Sequence, residues 1–124
     1  MQDNQADRWE GFPMRIVRSR EELKELEHAS EMLLLYFGSE TCGVCRDMQP
    51  KLEALLAKYP EIVPVKIPVE SKPEIAASYQ IFSIPAIILL IQGRETVHEA
   101  GIISLRNLEQ QINRYDSLLF DRKT

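Results

Sequence analysis

The chain has 124 residues, of which 44% are hydrophobic and 27% are charged, a size and composition typical of one compact globular domain. Nineteen Asp and Glu against fifteen Lys and Arg give a formal net charge of −4, the wrong sign for attraction to phosphate backbones, so we expect no nucleic-acid partner. The longest apolar runs, 32–37 and 84–91, are much shorter than the roughly 20 residues that cross a bilayer, so we expect no membrane partner.

The N-terminal residues differ in composition from the rest of the chain. Residues 1–12 are polar and acidic and lack the apolar segment of a secretory signal, which favours a cytoplasmic protein. We therefore predict a polar tail over residues 1–12 and one domain over residues 13–124. We expect Trp9 or Phe12 to dock on this domain, because a lone exposed tryptophan is unusual on a soluble surface.

The first elements are predicted from a capping motif and an apolar run. The short stretch 14–17, apolar except for Arg15, predicts a strand, and the S-x-x-E spacing of Ser19 and Glu22 predicts a helix that ends near His28. The segment 31–37, which is continuously apolar from residue 32 onward, is typical of a strand that is buried on both faces.

A long helix and another strand are predicted next. The helix ends before Pro60, should be kinked by Pro50, and carries one apolar face formed by Val44, Met48, Leu52, Leu55, Leu56 and Tyr59. Three apolar residues then alternate with prolines and a lysine, which predicts a strand near an edge of the sheet: Val63, Val65 and Ile67.

The last third of the chain predicts a hairpin between two helices. A short helix is expected over 73–79 and a buried strand over 84–91, and the turn at Gln92-Gly93 should lead directly into a strand over 95–100. Ser104 should cap a final helix whose apolar face comprises Leu105, Leu108, Ile112, Tyr115 and Leu119. The order β-α-β-α-β-α-β-β-α predicts an α/β fold with helices on both faces of a mixed sheet.

Cys42 and Cys45 are the residues most suited to chemistry. They lie three apart where a buried strand gives way to a helix, and the free N–H groups of a helix start stabilise an anion, which lowers the pKa of the first thiol. Residues one helical turn apart have Cα atoms roughly 5 Å from each other, within the range of a disulfide. Cys42 is therefore the candidate nucleophile, and Cys45 can resolve the mixed disulfide that Cys42 forms.

Other roles for this pair stay open at this point. The cysteines could be buried structural thiols, or could bind zinc or an iron–sulfur cluster between two chains. We predict no metal site within one chain, because His28 and His98 lack the spacing of paired zinc ligands.

Several separated features resemble the thioredoxin family over residues 14 to 120: Cys42-Gly43-Val44-Cys45 after an apolar strand, Pro50, Lys66, Ile84-Pro85, Gly93 and Gly101. The resemblance implies a thioredoxin-like three-layer α/β/α fold whose mixed sheet ends in an antiparallel hairpin. It implies that Cys42 attacks and Cys45 resolves. It also implies that Ile84-Pro85 is a cis bond facing the cysteines, and that substrate binds at Gly43, Val44, Ile84 and Pro85.

The chain departs from the usual family pattern at four positions around the cysteines: Tyr36 where the family has a buried aspartate, Gly38 and Thr41 where it has tryptophans, and Val44 where it has proline. Without an acid at position 36, the Lys66 ammonium could favour a nearby thiolate. We therefore treat Tyr36, Glu40 and Lys66 as candidates for tuning the thiols.

The resemblance implies a thiol-disulfide oxidoreductase that reduces protein disulfides and needs no cofactor besides its own Cys42–Cys45 disulfide. Its implied partners are disulfide-containing client proteins and a thiol electron donor, for which thioredoxin reductase is a candidate, and we expect a monomer. The alternative is a non-catalytic thioredoxin-fold binding module, or a dimer that bridges a metal or iron–sulfur cluster through the cysteine pair.

Overall fold

The structure, a computed structural model, describes residues 14–120. Within this range lie β1 (Arg15–Ile16), α1 (Arg20–Ala29), β2 (Met32–Gly38), α2 (Gly43–Leu56), β3 (Ile62–Pro68), α3 (Pro73–Ser78), β4 (Ala86–Ile91), β5 (Arg94–Ala100) and α4 (Leu105–Phe120). The predicted order of elements is confirmed. The predicted tail over residues 1–12, with Trp9 and Phe12, lies outside the described residues.

The sheet has the strand order β1-β3-β2-β4-β5. β1, β3 and β2 run parallel, whereas β4 and β5 are antiparallel to their neighbours. The fold is thus the predicted mixed sheet that ends in a hairpin. Both residues of the hairpin turn, Gln92 and Gly93, have positive φ angles, as the tight turns between paired strands require.

The central strand β2 separates two apolar layers. All seven of its residues are buried, and because side chains alternate across a strand, they contribute in turn to each layer. Met32, Leu34 and Tyr36 pack with apolar residues of α2 and α4, whereas Leu33, Leu35 and Phe37 pack with residues of α1 and α3. Helices therefore cover both faces of the sheet, as predicted.

Helix starts follow the predicted capping residues. The Oγ atom of Ser19 accepts a hydrogen bond from the N–H of Glu22 at 3.1 Å, and Ser104 Oγ accepts one from the N–H of Asn107 at 3.1 Å. β3, with its prolines, lies beside the two-residue strand β1, which pairs only with Val65 and Lys66. No helix within residues 14–120 is long and apolar enough to cross a membrane.

Two sequence predictions about element limits were wrong. β4 begins at Ala86 and not at Ile84, because the chain first passes through the Ile84-Pro85 loop. Val44 was expected on the apolar face of α2 but is 59% exposed. The buried face of that helix instead includes Cys45, Gln49 and Glu53.

Candidate active site

The two cysteines form a disulfide at the start of α2. Their Cα atoms are 5.3 Å apart, as the helical spacing predicted. Cys42 is the N-cap residue, and its Sγ atom accepts a hydrogen bond from the N–H of Cys45 at 3.2 Å. Cys42 is half-buried, whereas Cys45 is 3% exposed. The two sulfurs therefore differ in both access and surroundings.

A turn fixed by backbone hydrogen bonds leads into this helix. The N–H of Cys42 donates to the carbonyl of Ser39 at 3.1 Å, and the N–H of Glu40 donates to Oε2 of Glu70 at 3.2 Å. Hydrogen bonds from backbone N–H groups, including that of Glu40, lower the pKa of the Glu70 carboxyl. The Glu40 side chain is exposed, and the contact of this residue with Glu70 is made by its backbone N–H.

Gly38, the last residue of β2, lies against Cys45. A Cβ atom at position 38 would be 3.3 Å from the Cys45 Cβ and 3.5 Å from its Sγ. The first of these distances is tighter than most Cβ contacts in proteins, whereas the second is an ordinary van der Waals contact. Glycine at this position therefore lets the first turn of α2 pack closely on the end of the central strand.

Tyr36 joins the central strand to the same turn of α2. Its side chain is fully buried, and its hydroxyl donates to the carbonyl oxygen of Cys45 at 2.6 Å. Burial, and then the nearby carboxyl of Glu53, raise the pKa of Tyr36 well above its usual value. Tyr36 is consequently a neutral hydrogen-bond donor throughout the pH range in which thiols titrate.

A chain of three polar side chains extends below the disulfide. Lys66 Nζ donates to Gln49 Oε1 at 2.9 Å, and Gln49 Nε2 donates to Glu53 Oε2 at 3.1 Å. Burial raises the pKa of Glu53, and the hydrogen bond from Gln49, the nearby Met14 backbone and the Lys66 charge offset part of that increase. A buried carboxyl is thus linked to a cation on the neighbouring strand.

The loop before β4 reaches the same end of the sheet. Ile84-Pro85 is a cis bond, which confirms the prediction. Ala86 pairs with Phe37 of β2, so Pro85 lies next to the strand end that precedes the cysteine turn. The Pro85 carbonyl accepts a hydrogen bond from the N–H of Gly101 at 2.8 Å, which fastens the loop after β5 to the loop before β4.

Exposed apolar side chains occur in the three segments at this end of the molecule. Val44 follows the attacking cysteine, Phe82 precedes the cis-proline loop and Ile102 follows Gly101. The last two side chains are 89% and 98% exposed. Gly43 is also exposed and would have open space around a Cβ atom. The predicted substrate residues thus have apolar neighbours that the sequence analysis did not include.

The thioredoxin family model matches residues 15–114. The chain belongs to the thioredoxin family. Its members are thiol-disulfide oxidoreductases whose redox centre is a CxxC cysteine pair, without an external cofactor.

Known thioredoxins resemble the chain in sequence and in structure. Thioredoxin H8 of Arabidopsis thaliana is 32% identical over 98 residues, which cover 79% of this chain and 66% of that protein. Thioredoxin of Chlamydia trachomatis is 34% identical over 87 residues, which cover 70% of this chain and 85% of that protein. Oxidised mitochondrial thioredoxin 3 of Saccharomyces cerevisiae superposes with a TM-score of 0.74 at 27% identity, covering 82% of this chain and 94% of that one.

Among the predicted tuning residues, the structure brings Tyr36 and Lys66 together but not the side chain of Glu40. Tyr36 and Lys66 are register partners on β2 and β3.

Lys66 was expected to lack an acidic neighbour, yet Gln49 links it to Glu53. Sequence reasoning missed both of these α2 residues, although a signal was present: they follow Cys45 by four and eight positions and therefore lie on its helical face.

The histidines lie outside this site. His28 and His98 are both exposed, and Nδ1 of His98 lies 2.7 Å from Oε2 of Glu95. No three His, Cys, Asp or Glu side chains of residues 14–120 come together in an arrangement that could hold a metal ion.

Proposed function

We propose that this thioredoxin-family protein is a cytoplasmic reductase of protein disulfides. The observation that carries the proposal is the unequal pair at the start of α2: Cys42 caps the helix and is accessible, whereas Cys45 is buried one turn inside. A nucleophilic thiolate is favoured at the first position by the helix N–H groups, and burial disfavours it at the second.

The reaction consists of two thiol-disulfide exchanges. The Cys42 thiolate attacks one sulfur of a client disulfide, forms a mixed disulfide and releases the other client sulfur as a thiolate. Cys45 then loses its proton, and its thiolate attacks the Cys42 sulfur and releases the second client sulfur. Two electrons have passed to the client, and the protein is left with the Cys42–Cys45 disulfide. A thiol donor, for which we propose thioredoxin reductase or another dithiol protein, returns the electrons.

The client segment binds across the apolar surface around Cys42. Gly43 and Val44 contact it from the start of α2, and the backbone at Ile84 pairs with it in an extended conformation beside Pro85. Phe82 and Ile102 add apolar area on the far side of the disulfide. The support for this arrangement is the exposure of these side chains and the hydrogen bond that joins their two loops.

Single cysteine variants test the assignment of roles. Cys42→Ser should abolish reduction of insulin disulfides and form no mixed disulfide. Cys45→Ser should also stop turnover but should accumulate a covalent complex between Cys42 and the client, because the thiolate that releases it is absent. Non-reducing electrophoresis with mass spectrometry measures both outcomes.

Two results would contradict the proposal. Equal trapping by the two variants would remove the distinction between attacking and resolving cysteines. A wild-type protein without thiol exchange above background, but with copurifying zinc or visible absorbance, would favour the binding module or metal-bridged dimer.

A further inference from the structure

Three buried residues form a continuous line on the inner face of α2. Cys45, Gln49 and Glu53 are separated by steps of four, and all three are buried, with Glu53 2% exposed. Their spacing places them on one side of the helix, facing the sheet. The resolving cysteine therefore shares a low-dielectric surface with a carboxyl group.

The two carboxyl oxygens of Glu53 differ in their hydrogen bonding. Its Oε2 accepts the hydrogen bond from Gln49, whereas its Oε1 is buried and has no hydrogen-bond partner among the described residues. A buried charge without full pairing is costly. A residue that only filled space in the core would not need to be an acid. Leucine or glutamine has a similar size and would avoid the free-energy cost of burying a charge.

The groups around Glu53 come from three directions. Tyr36 faces it from β2 and Lys66 from β3, and the backbone of Met14 approaches it from before β1. The buried carboxyl of Asp116 on α4 interacts instead with Tyr59. Lys66 is therefore the cation whose charge opposes that of Glu53 in this part of the core.

We propose that Glu53 is a positioning residue for thiol-disulfide exchange, and that Glu53 and Lys66 act in opposite directions on the Cys45 thiol through the line that Gln49 completes. The inference rests on the proposed function of the cysteine pair. Ionised Glu53 disfavours a second negative charge on the Cys45 sulfur, so the thiol keeps its proton. The ammonium of Lys66, hydrogen-bonded to Gln49 one helical turn after Cys45, favours the thiolate that attacks the mixed disulfide.

The expected size of the effect follows from the helix geometry. Eight residues correspond to about 12 Å along the axis, and the Glu53 side chain leans toward the N-terminus, which brings its charge to roughly 10 Å from the Cys45 sulfur. At an effective dielectric constant of about 20, a unit charge at this distance shifts a pKa by about one unit.

The test is a thiol titration of the reduced full chain, followed by thiolate absorbance near 240 nm. A second series in the Cys42→Ser background leaves Cys45 as the one thiol. Glu53→Gln should lower the pKa of Cys45 by about one unit, and Lys66→Met should raise it. Glu74→Gln and Lys24→Met, which remove the same charges from exposed positions, should leave it unchanged.

Opposite shifts in the two core variants would support the inference. No shift in either variant, or shifts in the same direction, would overturn it, because a merely structural role predicts no dependence on the sign of the charge removed. Insulin reduction by the wild-type chain is measured separately. Insulin turnover without these pKa shifts would support the proposed function and contradict this inference. The pKa shifts without insulin turnover would support this inference and contradict the proposed function.

Discussion

Gly38 packs directly against the first turn of the active-site helix. A methyl group there would lie 3.3 Å from the Cβ atom of Cys45, so the strand end or the disulfide would have to shift by a few tenths of an ångström. We expect Gly38→Ala to reduce the free energy of unfolding of the oxidised protein by about 1–3 kcal/mol, the usual cost of overpacking. Urea denaturation measures this loss.

Gly43→Ala is the matched control for that substitution. It adds the same methyl group five residues later, where nothing lies within 4 Å, so we expect a change within about 0.5 kcal/mol. Equal destabilisation by the two variants would mean that the contact with Cys45 is not the cause.

At the scale of elements, the loops on either side of the β4–β5 hairpin carry apolar side chains that are not packed in the core. Phe82 and Ile102 are almost fully exposed. If a client covers them, Phe82→Ser and Ile102→Ser should each reduce kcat/KM for insulin about 3- to 10-fold, because partial burial of such a side chain is worth up to about 1.4 kcal/mol. A small aromatic disulfide, which covers less of the surface, should show a smaller loss.

Leu118→Ser controls for a general effect of removing exposed apolar area. Leu118 is 72% exposed on α4, outside the three segments that bear the site, and we expect unchanged kinetics. If this variant lost as much activity on insulin as the two loop variants, the loops would have no special role in client binding.

α2 shows where sequence reasoning about an element fails. A pattern of apolar residues predicted its position after the central strand, which was confirmed, but extended it to just before Pro60, whereas the helix ends at Leu56. The same pattern wrongly placed Val44 on the buried face, because polar residues such as Gln49 and Glu53 were assumed to be exposed. Their burial is compensated by Lys66, which lies on another strand, and a contact between distant segments leaves no periodic signal within the helix.

At the scale of the whole molecule, the buried acid should make stability depend on pH. Because burial raises the folded-state pKa of Glu53, the native protein binds this proton more tightly than the unfolded chain does. Its contribution is therefore fully present below the unfolded pKa of about 4.3 and is lost as pH rises through the higher folded value. We expect Glu53→Gln to gain stability relative to wild type from pH 4.5 to pH 8, as measured by urea denaturation.

The exposed substitution Glu74→Gln serves as the reference for that series. Glu74 is at the start of α3 and is exposed, so its curve should run parallel to that of the wild type. A constant difference between Glu53→Gln and wild type across this pH range would show that Glu53 titrates normally.

Much of the overall architecture was predictable from local patterns. The capping residues Ser19 and Ser104, the turn at Gln92-Gly93 and the continuous apolar run of β2 each act over a few residues, and each was confirmed. The position of the cysteine pair followed from the same information. The polar chain below the disulfide was not predictable, since it depends on which side chains β2 and β3 place beside α2.

The order of the strands has a further consequence for how copies of the molecule meet. Of the described strands, β1 and β5 bound the sheet, and open strand edges are templates for pairing with other chains. β1 offers two residues, and β5 carries charged side chains at Arg94, Glu95 and Glu99. Both boundaries thus discourage edge-to-edge aggregation, so the protein has little tendency to be recruited into the β-structure of chains that it meets.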